Sequence, residues 1–298
     1  MGEHQSLVPI AFRMNLNALL YIEYLKTSRA ASFWASLFLF AFFGSLILTF
    51  NFYGTVVVNG QEVAATQLPR DWEKLLSQFK SLQVVFVPIS LILLAAGEFA
   101  HKTARQNVID GLSKEEFVAG KVFVALALAL VYFLLALSLS ALFNLGAKSD
   151  GEKALIGAKE FFLFCAYFAA LLGYGFLGLF LAFLTRSSGS AIAFYVLYLV
   201  LEGLAGGLLQ LSPTLKPLVK FLPTKVFDDL VNPFRFDAEL LQQFQWQIQR
   251  SEAAGESVPD AVYGQLPRLE TPSAFSLAFL YVALTISATY FLFKRRDL

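Results

Sequence analysis

Six stretches of the chain stay apolar for about 20 residues each with almost no charge, and this feature decides most of what the chain can fold into. They run from Ala30 to Tyr53, Phe79 to Ala96, Val122 to Leu145, Phe161 to Leu184, Ser190 to Leu211 and Ser273 to Phe293. Roughly 30 Å of hydrocarbon needs that length at about 1.5 Å per helical residue, so each run reads as a membrane-spanning helix. Composition agrees. Of 298 residues, 57% are hydrophobic and 15% charged, against roughly 25% charged in soluble domains. A soluble fold of this length would lack the charges to cover its surface. The expected fold class is an all-α membrane protein, one transmembrane domain over residues 1–298. The second run is the shortest; it opens near Lys80 and holds Pro88, which predicts a kink.

An even number of spans places both termini on one side, and Lys and Arg are denser on the cytoplasmic side of a membrane. With the termini inside, the inner segments carry eleven Lys and Arg: Arg13, Lys26, Arg29, Lys102, Arg105, Lys114, Lys121, Arg186, Lys294, Arg295 and Arg296. The outer segments carry twelve over a considerably longer stretch. This bias predicts cytoplasmic termini in a multi-pass cell-membrane protein, a bacterial cytoplasmic membrane being the expected one. No cleavable signal peptide is expected, because the first apolar run starts near residue 30 and is too long for an h-region.

Three polar segments connect the spans. In residues 7–28, Arg13, Asn17, Tyr21, Tyr24 and Ser28 share one helical stripe among largely apolar neighbours. That pattern predicts an amphipathic helix on the cytoplasmic surface (residues 1–29), in preference to a tilted extension of the first span. In residues 97–121, Glu98, Lys102 and Arg105 stand at i, i+4 and i+7, one face of a helix. Gly111 is placed to stop that helix, and Ser113 with Glu116 has capping-box spacing for the next. Helix–break–helix and an ordinary solvated loop fit this segment equally well. Residues 212–272 hold seven of the ten prolines. Their first part, Leu211 to Phe236, predicts short helices at or dipping into the outer interface, and Ala238 to Arg250 predicts a helix. A loop this long is also a candidate contact for an extracytoplasmic partner.

Glu202 is the one acid well inside a span, and a carboxyl at such depth is costly unless paired, protonated or wet. Two readings stand equal: a functional buried carboxyl, or a wet break of the fifth span at the glycines that follow. Gly203 and Gly207 form a G-x-x-x-G spacing suited to close helix packing, usually within one chain. Gly173, Gly175 and Gly178 give the fourth span a small face.

Catalytic chemistry is not expected in this chain. Gly120-Lys121 lacks the rest of a phosphate-binding loop, since Glu115 stands where its first glycine belongs and Val122 follows the lysine. Two histidines, His4 and His101, lie on the wrong segments for an intramembrane metal site. Cys165 reads as a small core residue. A net charge of +1 gives no electrostatic basis for nucleic-acid binding. No catalytic, cofactor or metal site is therefore assigned.

The run Gly97-Glu98-Phe99, Thr103-Ala104-Arg105-Gln106-Asn107, Gly111-Leu112-Ser113-Lys114 and Phe117-Val118-Ala119-Gly120-Lys121 resembles the permease subunits of ABC-2-type exporters. So do the six-span layout and the tail Phe293-Lys294-Arg295-Arg296-Asp297-Leu298. The resemblance implies that the loop over 97–121 is a coupling helix resting on a separate ATPase subunit, with Glu98, Thr103, Arg105, Asn107, Gly111 and Ser113 in the coupling region. It implies two copies of that ATPase, which would bind ATP and Mg. It also implies pairing of the permease as a homodimer or with a similar second permease, and export or leaflet translocation of a substrate. The Gln-rich stretch from Glu239 to Gln265 is longer than the family pattern. Two rivals remain: an ion-coupled secondary transporter using Glu202, and a non-transporting membrane anchor coupled to an ATPase.

Overall fold

Each of the six apolar runs forms a helix long and apolar enough to cross a membrane in the computed structural model of the chain. The structure describes residues 16–53, 55–58, 61–64, 72–109, 111–145, 157–231 and 271–295. Helix is the available solution because hydrocarbon offers backbone N–H and C=O groups no partner outside their own segment. The chain is a multi-pass membrane protein.

Helix α1 (Leu16–Arg29) precedes the first span, α2 (Ala31–Tyr53), and Ala30 alone separates them. The Trp34 indole N–H donates to the Ser28 carbonyl at 2.7 Å and closes that corner. Strands β1 (Thr55–Val58) and β2 (Gln61–Ala64) follow as an antiparallel hairpin, with Val58 opposite Gln61. Then come α3 (Trp72–Ser77), α4 (Lys80–Ala100), α5 (Thr103–Ile109), α6 (Lys114–Leu145), α7 (Ala158–Thr185) and α8 (Ser188–Gln210). A 3-10 turn over Lys216–Phe221 leads into α9 (Pro223–Val231), and α10 (Thr271–Arg295) is the last span. The hairpin is an addition to the all-α expectation. The polar stripe around Arg13, the expected helix at 238–250, the Gln-rich stretch and the basic tail from Arg296 lie outside the described residues.

Because spans alternate in direction, α1, α5, the α7–α8 turn and the last turn of α10 share one end of the bundle, which we term the terminal end. Phe99, Phe117, Phe183 and Phe293, from α4, α6, α7 and α10, pack there as one aromatic cluster with centroids 5.0–6.1 Å apart. α7 is the central helix, and its small face explains why. A Cβ on Gly178 would lie 2.7 Å from Pro88 Cα on α4, and one on Gly173 would lie 2.3 Å from the Phe227 ring on α9. Glycine lets both elements approach to backbone distance.

Pro88 cannot donate to the Val84 carbonyl four residues earlier, so α4 carries a freed acceptor inside the bundle. The Tyr195 hydroxyl on α8 donates to that carbonyl at 2.6 Å. A second buried junction joins Ser90, Tyr132 and Ser36: Tyr132 Oη lies 2.7 Å from Ser90 Oγ and donates to Ser36 Oγ at 3.0 Å. These hydroxyls stitch α2, α4 and α6 together where no solvent competes for them.

Candidate functional site

At the terminal end the polar segment between α4 and α6 is a short helix with a defined stop and start. Gly111 has φ +106°, a conformation that side chains resist, and it ends the turn after α5. Ser113 then opens α6 with a complete capping box. Its Oγ accepts from the Glu116 N–H at 3.1 Å, and the Glu116 carboxylate accepts from the Ser113 N–H at 2.9 Å. Helix–break–helix is what the segment adopts.

The break comes earlier than the charge spacing implied. α4 ends at Ala100, and Thr103 starts α5 by donating its hydroxyl to the Glu98 carbonyl at 3.1 Å. Glu98, Lys102 and Arg105 therefore do not share one helical face. Glu98 turns instead toward α6, where Lys121 Nζ stands 2.7 Å from its Oε1. The same ammonium lies 2.6 Å from Glu23 Oε2 on α1. Lys26 flanks the pair, 3.4 Å from Glu98 and 3.7 Å from Glu23. The Lys121 and Glu23 side chains are 4% and 5% exposed, so each charge depends on the others for the solvation that water no longer supplies. Gly120 makes the approach of α1 possible: a Cβ there would meet Glu23 Cγ at 3.3 Å and Leu19 Cδ1 at 3.4 Å.

This cluster locks three elements, α1, the end of α4 and the start of α6, into one unit. A cavity of about 420 Å³ lies beside it, lined by Glu23, Lys26, Glu98 and Lys121 together with Leu94 and Leu179. The last span joins the unit too. The Tyr290 hydroxyl donates to Glu115 Oε1 at 2.8 Å, and Lys114 Nζ donates to the Lys294 carbonyl at 3.3 Å. Arg105 and Ile109 project from α5 as exposed side chains, Ile109 being 72% exposed. Asn107 is half-buried on the same helix. Sequence reasoning missed Glu23; its signal was a lone acid one helical turn beyond Leu19, in phase with the buried side of α1.

Glu202 does not sit in a break of its span. α8 runs unbroken to Gln210, so the glycines do not interrupt the span. The carboxylate is 7% exposed, and its Oε1 accepts from the Thr224 N–H at 2.8 Å and the Thr224 hydroxyl at 2.6 Å. Thr224 is the second residue of α9, so Glu202 caps from a neighbouring helix the free N–H groups at the start of α9. The Tyr174 hydroxyl on α7 donates to Asp228 Oδ1 at 2.7 Å, and Lys80 of α4 stands 2.9 Å from Asp228 Oδ2. On α10, the Tyr281 hydroxyl donates to the Phe221 carbonyl. Four helices thus hold the returning segment. Tyr174 lies eleven residues before Thr185, roughly 17 Å along the helix, so α9 packs well inside the length of α7. Sequence patterning anticipated a short helix in this stretch and left its anchors unassigned.

Gly203 and Gly207 pack against nothing among the described residues. A Cβ on either would meet nothing within 4 Å. They continue an exposed seam along α8 formed by Gly189, Ala193, Val196, Val200, Gly203 and Gly207, spaced alternately four and three residues apart. Small and β-branched residues at that spacing form a face another helix can approach closely. Cys165 is exposed on α7, not a core residue as expected. Among the described residues no group of three His, Cys, Asp or Glu side chains is placed to hold a metal ion.

No protein-family model matches the chain, and no curated protein matches it.

Proposed function

We propose that this chain is the membrane permease subunit of an ABC-2-type exporter, driven by a separate ATPase. The observation that carries the reading is the buried Glu23–Lys121–Glu98 cluster. It ties the end of α4, on which Thr103 seats the short helix α5, to α1 and α6, so a push on α5 is delivered to the ends of two spans and to the N-terminal helix. A surface loop kept only for its charges has no need of such a brace. Exposed Ile109 and Arg105 give α5 a face for a partner, outside the segments where lipid would account for an exposed apolar side chain.

In this reading the terminal end faces the cytoplasm of a bacterial cell, and each permease rests on one of two ATPase subunits that bind ATP and Mg. The exposed seam on α8 pairs the permease with a second copy or a similar chain, and closure of the ATPases rocks the pair to export a substrate or move it between leaflets. Glu98, Thr103, Arg105, Asn107, Gly111 and Ser113 then position the coupling helix mechanically. Glu202 holds α9 in place, a structural duty in place of ion coupling.

The test is co-expression of the tagged chain with its neighbouring genes. Capture of an ATP-binding subunit, with ATP hydrolysis that loses its dependence on the permease in Glu98→Ala, is the expected result. Failure to capture any nucleotide-binding subunit would remove the reading.

A further inference from the structure

Three cationic side chains from separate parts of the chain line one hollow of about 200 Å³ at the terminal end: Lys102 just after α4, Arg105 on α5 and Arg186 between α7 and α8. Phe99 and Ala104 complete the lining, which contains no acid. The Arg186 guanidinium sits over the Phe99 ring, 5.7 Å from its centroid, and is positioned by it.

The backbone singles out the same residues. Among the described residues, Lys102 (φ 59°) and Arg186 (φ 55°) are the non-glycine positions with positive φ. Each ends a helix, with the Lys102 N–H on the Phe99 carbonyl at 3.1 Å and the Arg186 N–H on the Ala182 carbonyl at 2.9 Å. Glycine takes this helix-ending conformation without strain, and a side chain does not. The helix dipole favours a cation at the C-terminal end of α4 and of α7, which explains each residue alone. It does not explain why both strained cations and Arg105 border one hollow.

Depth identifies the ligand. Only Arg186 and Ser187 separate α7 from α8, both of span length, so the hollow lies where hydrocarbon meets the headgroup layer. Phosphate at that depth belongs to phospholipid. We propose that the hollow binds the phosphate of an anionic phospholipid in the leaflet at the terminal end, with Lys102, Arg105 and Arg186 donating to its oxygens.

The glycine preference of these two positions supplies a clean variant. Lys102→Gly/Arg186→Gly removes two cations while relaxing the backbone, so the fold survives the change. The full chain is placed in phosphatidylcholine nanodiscs with and without phosphatidylglycerol, and retained lipid is counted by native mass spectrometry. Phosphatidylglycerol is retained over phosphatidylcholine by roughly tenfold in the wild type. The preference disappears in the double glycine variant and weakens in Arg105→Gln. Equal retention of the two lipids in the wild type, or an undiminished preference in the double variant, overturns the proposal. Inorganic phosphate is the remaining arm: if it raises the unfolding midpoint in pure phosphatidylcholine while phosphatidylglycerol is not retained, the anion is soluble and the lipid assignment falls. No ATP-binding subunit takes part, so this result stands apart from the ATPase capture.

Discussion

Replacing Lys121 with Met tests whether the ion cluster braces the terminal end. The methionine fills similar volume but leaves Glu23 and Glu98 facing each other without the ammonium that lies 2.6 and 2.7 Å from them. Removing one partner of a buried ion pair costs about 3–5 kcal/mol, because the remaining charge is uncompensated. Lys26 offsets part of this, but it stands 3.4 Å or more away with 34% of its side chain exposed, and contacts of that kind contribute about 0–1 kcal/mol. A destabilisation of about 3–4 kcal/mol follows. The same substitution in a Glu23→Gln/Glu98→Gln background should cost less than about 1 kcal/mol, since replacing a whole buried ion cluster with neutral groups is often nearly neutral. Reversible unfolding of the four proteins in mixed micelles closes the double-mutant cycle. Equal costs in the two backgrounds would refute the brace, whatever their absolute size.

Other outcomes follow from contacts elsewhere. Glu202→Leu removes the acceptor of both Thr224 donors and should lower stability by roughly 1.5–3 kcal/mol, whereas Glu202→Gln keeps a carbonyl acceptor and should lose much less; thermal unfolding of the two variants distinguishes them. Gly178→Ala drives a Cβ to 2.7 Å from the Pro88 backbone and should destabilise by about 1–3 kcal/mol. Gly207→Leu meets open space, so it should leave monomer unfolding unchanged while weakening self-association in a fluorescence-transfer assay. Tyr195→Phe strips the Val84 carbonyl of its donor, at a cost of about 1–3 kcal/mol. In a Pro88→Ala background the restored N–H should reduce that loss, as unfolding of the double variant will show.

Local, strongly periodic features were legible in the sequence. The six spans fall within a few residues of their expected limits except α6, which begins eight residues earlier because its capping box at Ser113 extends the span into the polar segment. Gly111 and Ser113 were readable because turn and cap chemistry depend on neighbours three residues away. The hairpin was equally local. Its register pairs Thr55 with Ala64 through to Val58 with Gln61, and the apolar run before it obscured it. What was not legible was pairing across the bundle. Lys121 meets Glu23 across 98 positions and Tyr174 meets Asp228 across 54, and no periodicity within one helix encodes such partners. The exposed charges Lys102 and Arg105 looked like partners of Glu98 for the same reason: helical spacing presumed one helix, and the turn at His101 and Lys102 divides it in two.

The central claim is that α5 rests on an ATP-binding subunit, and a photo-crosslinker tests it most directly when placed at Ile109, the exposed side chain at the end of that helix. A control label at Leu215, beyond the far end of α8, reports non-specific capture. The account predicts that the Ile109 label joins the chain covalently to an ATP-binding subunit in membranes expressing the neighbouring genes, while the Leu215 label does not. A co-purifying ATP-binding subunit that never crosslinks from Ile109, or no such subunit at all, would contradict it.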